Sequence, residues 1–116
     1  MAQYRISQDA RADIVDVLRH SQAQFGLAAR RRYQGLILTA LDTIACEPDR
    51  IGSSSRDEIV QGLRSFHLVH CRSRSPADKV QRPRHIVFYR LGDDEVIEVV
   101  RILHDAMEVR RHLSPE

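Results

Sequence analysis

Three arginines and a histidine stand where charged chemistry could be done: Arg64, Arg90, Arg101 and, close behind the last, His104. One reaction to which such residues could contribute is cleavage of an RNA phosphodiester by its own 2′-hydroxyl. That reaction needs a base for the hydroxyl proton, an acid for the leaving oxygen and cations for the charge building on phosphorus. Arginine stays protonated, so Arg64, Arg90 and Arg101 could fill only the last role, whereas His104 can exchange a proton near neutral pH. The only lysine, Lys79, lies in a loop, so no lysine cluster can be assembled. A plainer reading pairs the arginines with Glu95, Glu98 or Asp105 across a sheet. It makes His85 and His104 satisfied structural histidines and leaves His20 exposed on a helix. Met107 and Leu113 then read as core contacts, and Arg111 and His112 as exposed surface.

Other chemistries have less to stand on. His67, His70 and Cys71 could be gathered into a metal site, but an extended strand points neighbours to opposite faces and separates His70 from Cys71. Cys46 and Cys71 form no CxxC pair and read as buried free thiols. No phosphate-cradling glycine loop, zinc spacing or serine-triad motif is present, so neither metal nor cofactor is expected.

The elements that must position these residues follow from hydrophobic period. Tyr4 to Ile6 suits a short strand, and Ser7 can cap a helix whose apolar positions are Ala10, Ile14, Val17, Leu18 and Phe25. Asp9, Asp13 and Asp16 place acidic charge toward its positive end. Gly26 ends it, and a second helix, about Leu27 to Cys46, carries the stripe Ala29, Tyr33, Leu36, Ile37, Ala40, Leu41 and Ile44 until Pro48 blocks it. So short a connection forces an antiparallel αα-hairpin. Gly52 to Ser55 reads as a polar loop. Strands are expected at Leu63 to His70, His85 to Leu91 and Glu95 to Leu103, the last apolar on both faces and therefore central. Asp105 is placed to cap a short terminal helix through about Leu113, with Ala106, Val109 and Leu113 inward. The class is α+β, in the order β-α-α-β-β-β-(α), with a helical hairpin packed on a small, mainly antiparallel sheet.

At 116 residues the chain, read as one domain over 1–116, suffices for one core. It has no apolar run of membrane-spanning length and no export-signal pattern at Met1 to Ile6, so the cytoplasm is the expected compartment and no membrane partner is expected. Charge is unevenly spread. From Ile51 to Gly92 eight cations face three anions, whereas from Asp93 onward three face seven. The segment Cys71 to Arg84 concentrates this basic character in an exposed loop, which suits an anionic partner, acidic protein or nucleic acid. Whether nucleic acid is bound directly stays open at this stage.

Several short motifs resemble the ParE branch of the RelE/ParE toxins along nearly the whole chain. Tyr4, Ser7, Ala10, Asp13 and Ile14 resemble the family's opening strand and helix, and Phe25-Gly26 with Ala29 and Tyr33 its helix corner. Gly62-Leu63-Arg64-Ser65-Phe66 and His85-Ile86-Val87-Phe88-Tyr89-Arg90 are similar to its second and third strands. Arg101-Ile102-Leu103-His104, Met107-Glu108 and Arg111-His112-Leu113 look like its ending. Two departures are the longer loop Cys71 to Arg84 and Glu108 in place of the usual aspartate. The resemblance implies a toxin that inhibits DNA gyrase by binding and is neutralised by a ParD-like antitoxin. Target-binding residues would then be Arg64, Arg90, Arg101, His104, Arg111 and His112. The antitoxin would lie along the hairpin at Val15, Leu18, Leu36 and Leu41. The alternative, a RelE-like ribosome-dependent mRNA endonuclease, would use His104 with Arg64, Arg90 and Arg101.

Overall fold

The structure, a computed structural model, describes residues 3–74, 80, 82–107 and 109–113. Strand β1 (Tyr4–Ile6) leads into helix α1 (Gln8–Phe25), and helix α2 (Leu27–Cys46) returns antiparallel to it. Ser7 Oγ accepts from the Ala10 N–H at 3.0 Å and donates to the Val100 carbonyl at 2.8 Å, so the expected cap also fixes α1 to the sheet. Between the helices Gly26 sits at φ +94° and ψ 173°, a region that side chains other than glycine's rarely enter. That single residue ends α1 and starts α2, which is why the hairpin is tight.

Four more strands complete the sheet: β2 (Ser53–Ser55), β3 (Arg64–His67), β4 (His85–Leu91) and β5 (Ile97–His104). Their order is β1-β5-β4-β3-β2, antiparallel except for the β1–β5 pair, so β5 lies inside the sheet. The helices cover one face. Leu36, Ile37, Ala40, Leu41 and Ile44 of α2 and Ala10 and Leu18 of α1 pack on Phe66, Val87, Tyr89, Ile97, Val99 and Ile102. On the other face Ile59, Leu63 and Leu113 bury Phe88 and Leu103. This double coverage explains the near-continuous apolarity of β5.

Several expectations need correction. Ser53 to Ser55 is an edge strand paired with β3, not a loop; three serines carry no apolar alternation to announce it. The strand expected over Leu63 to His70 is limited to Arg64–His67, and Leu68–Arg74 turns into 3-10 helix. There Leu68 and Cys71, three apart, both reach the core, which a 3-10 turn allows and a strand would not. The terminal helix is reduced to one 3-10 turn, Val109–Arg111. Leu113 is buried as expected, but Met107 and Ala106 are exposed. Phe25, on the last turn of α1, is exposed too (74%). Cys71 is buried and Cys46 is exposed. No described helix is long and apolar enough to cross a membrane.

Candidate functional site

Strand β5 carries one extra residue. Tyr89 faces Val99, but Phe88 faces Arg101, so Val100 bulges out of the ladder and every later pairing shifts by one. The shift places His104 opposite His85; without it His85 would face Leu103. Asp13 of α1 clamps this bulge. Its carboxylate accepts from Arg101 Nε at 2.8 Å, from Arg101 Nη2 at 2.9 Å and from the Ile102 N–H at 2.9 Å. Such a two-pronged carboxylate–guanidinium pair, largely out of solvent, fixes geometry as well as adding energy. Asp13 holds the Arg101 guanidinium even more firmly protonated than usual.

The paired histidines open onto a cleft of about 620 Å³ between the helical hairpin and the start of β4. Their rings meet edge to face, with centroids 5.3 Å apart. Tyr33 of α2 accepts the Arg84 N–H at 3.0 Å and stands 2.7 Å from His85 Nδ1. The phenol can donate to Nδ1 or accept from it, and the tautomer of His85 sets the direction. Burial and the neighbouring His104 push His85 down to about 4, so it is neutral at pH 7. Burial likewise pushes the Tyr33 phenol up to about 12. His104 Nδ1 accepts the Ala106 N–H at 3.0 Å, which places a ring hydrogen on Nε2. Behind them Asp105 takes hydrogen bonds from His67 Nε2 at 3.0 Å and Arg84 Nε at 3.1 Å, which hold its carboxyl down at about 2. Asp105 is thus committed to an ion-pair network and does not cap a helix.

A family model described as "ParE toxin of type II toxin-antitoxin system, parDE" matches residues 4–109. This chain belongs to the ParE toxin family of type II toxin-antitoxin systems. It is 32% identical to "Toxin ParE1" of Caulobacter vibrioides, over 98% of this chain and 100% of that one. A second "Toxin ParE1", from Mycobacterium tuberculosis, is 30% identical over 97% and 98%. Among solved structures a chain titled "Chromosomal ParDE TA system from P. aeruginosa" superposes with a TM-score of 0.65, covering 90% of this chain and 96% of that one at 15% identity. The ParE-like hairpin on a mixed five-stranded sheet is therefore common to both.

Within this ParE frame the residues singled out from sequence do not converge. Arg90 pairs with Glu98 at 2.8 Å near the outer end of β4, and Arg64 donates to Ser53 Oγ at 2.8 Å near the sheet's far edge. His104 lies opposite His85, about 17 Å along β4 from Arg90 at roughly 3.3 Å per residue. Arg101 is the one expected cation held by a helix, and its Nη1 also reaches the His112 carbonyl at 3.3 Å, bringing Arg101 beside the exposed Arg111 and His112. Of the expected pairings with acids, Arg90–Glu98 forms as anticipated. Arg101 turns instead to Asp13, and Asp105 is taken by His67 and Arg84.

Among the four hairpin positions expected to meet an antitoxin, only Val15 is exposed (51%); Leu18, Leu36 and Leu41 are spent in the core against the sheet. Exposed apolar side chains on the hairpin are instead Val15, Phe25, Leu27 and Leu38. By its sequence context His85 is a structural histidine, and nothing local groups it with Tyr33, Arg84 and Asp105. The Gly92–Asp94 turn between β4 and β5 was the signal for a pair near 85 and 104, but the bulge that aligns them has no signature of its own. Lys79 and Glu108 lie outside the described residues.

Proposed function

We propose that this ParE-family toxin inhibits DNA gyrase by binding it, and that a ParD-like antitoxin neutralises it. The observation that carries this reading is likeness over essentially the full length to chains named Toxin ParE1. The site geometry supports binding over turnover. Arg64, Arg90 and Arg101 are each held by a partner within the chain and stand apart from His104, so they do not surround one phosphorus as cleavage requires. Arg111 and His112, exposed beside Arg101, form the better target-facing surface. For the antitoxin, Val15 and Leu38 stand nearly equally far from Gly26 on antiparallel helices and offer apolar contacts to an amphipathic segment. The test runs gyrase supercoiling and cell-free translation in parallel with the same purified protein. Loss of supercoiling with translation intact supports the reading; intact supercoiling, with growth inhibition that gyrase mutations do not relieve, refutes it.

A further inference from the structure

The cleft beside His85 and His104 is not used by this reading, and its lining has an unusual charge. Among the described residues that line it are Arg32, Arg82, Arg84, His20, His85 and His104, without a single carboxylate. Arg84 is balanced by Asp105 behind the cleft. Arg32 and Arg82 have no ion-pair partner among the described residues. Two guanidiniums at one cavity, neither with an ion-pair partner among the described residues, suit an anionic ligand. His104 adds a donor, since its Nδ1 accepts the Ala106 N–H and its ring hydrogen sits on Nε2.

The rest of the lining is Ser21 with apolar Val17, Ala29 and Val80 and the rings of Tyr33 and Phe25. Phe25 is exposed on α1 although it borders the cleft, so its ring is available to stack. A cavity of about 620 Å³ lies within the range of small-ligand sites. Guanidiniums and aromatic rings lining one cavity are the pairing that single nucleotides meet, phosphate on guanidinium and base on ring. From this juxtaposition we infer that the cleft between the hairpin and the start of β4 binds a nucleoside phosphate, through Arg32 and Arg82 on the phosphate and Phe25 and Tyr33 against the base. The nucleotide is either free or one unit of a single strand, the chemistry being the same.

Histidine ring spectra of the full-length protein, recorded during titration with adenosine monophosphate, test the assignment. Saturable shifts of His85 and His104 are expected, with inorganic phosphate and adenosine each binding at least about tenfold more weakly than the nucleotide. A double variant, Arg32→Gln with Arg82→Gln, is expected to lose about tenfold in affinity, and Phe25→Ala a similar factor, with unchanged urea midpoints because these side chains hold no partner in the fold. A 5′-phosphorylated trinucleotide binding about tenfold more tightly than the mononucleotide assigns the site to a strand. Equal affinities assign it to the free nucleotide, and both results uphold the inference. No ring shift at millimolar nucleotide overturns it. So does binding of phosphate alone as tight as the nucleotide, or a glutamate-rich peptide that binds more tightly than either and marks the cleft as a seat for an acidic protein segment.

Discussion

Asp13 grips Arg101 across the helix–sheet boundary with two contacts of 2.8 and 2.9 Å, and the same carboxylate takes the N–H of Ile102. One acidic residue thereby fastens α1 to β5 at the point where Val100 leaves the ladder. The register beyond it, and with it the facing of His85 and His104, depends on that bulge staying in place. Asp13→Ala strands a partly buried guanidinium and a backbone N–H together, and is expected to cost about 3 kcal/mol. Urea denaturation gives the cost, and faster amide exchange at Ile102 shows that the loss is local to the clamp. Unchanged exchange there contradicts the clamp's role.

Acid should weaken the fold through His85. Its folded-state value is about 4 against 6.5 for the free side chain, so below pH 6.5 the unfolded chain takes up a proton that the folded one refuses. Stability is full above 6.5 and falls as the pH drops toward 4, by about 3 kcal/mol if this group acts alone. Chemical denaturation at pH 7.5 and 4.5 measures the drop, and His85→Phe should flatten it. A second loss belongs lower: Asp105 is held down by His67 and Arg84, so its contribution persists above 3.8 and disappears as the pH falls toward 2.

Gly26→Ala isolates a backbone effect. A methyl group there meets nothing within 4 Å, so any cost comes from φ +94° alone. The expected destabilisation is about 1–3 kcal/mol, read from thermal or urea unfolding. A neutral result means that the helical corner relaxes without glycine.

The two thiols should separate cleanly. Cys46, exposed at the end of α2, is expected to react with a thiol reagent in the native state, while Cys71, buried against Leu36, waits for unfolding. Mass spectrometry of briefly labelled protein distinguishes one modification from two.

Much of the fold was legible in the residues. Ser7 as a cap, Gly26 as the corner, the α2 stripe from Leu36 to Ile44, and β4 all announce themselves through local chemistry or period. Failures occurred where tertiary partners outweighed local pattern. Asp105 has the side chain of a helix cap, but His67 and Arg84 claim it, and the segment after it forms only a turn. Leu68 and Cys71 continue the apolar character of β3 while the backbone has already coiled. Ser53 to Ser55 pairs through backbone groups, which leave no trace in side-chain hydropathy. The cleft was the least legible of all. His85 and His104 stand on different strands and meet only because Val100 is extra, while Arg32 and Arg82 gain meaning only when α2 and the residues before β4 come to share a wall.

The claim at the centre is that this ParE-family toxin acts by occupying a target and not by turning over a substrate. Dose dependence of gyrase supercoiling on purified toxin tests it most directly, with the His104→Ala variant alongside. The account expects inhibition that rises with the ratio of toxin to gyrase, reaches a plateau and is reversed by added ParD-like antitoxin. Intact supercoiling, with ribosome-bound mRNA cut at A-site codons and the cuts abolished by His104→Ala, would contradict it.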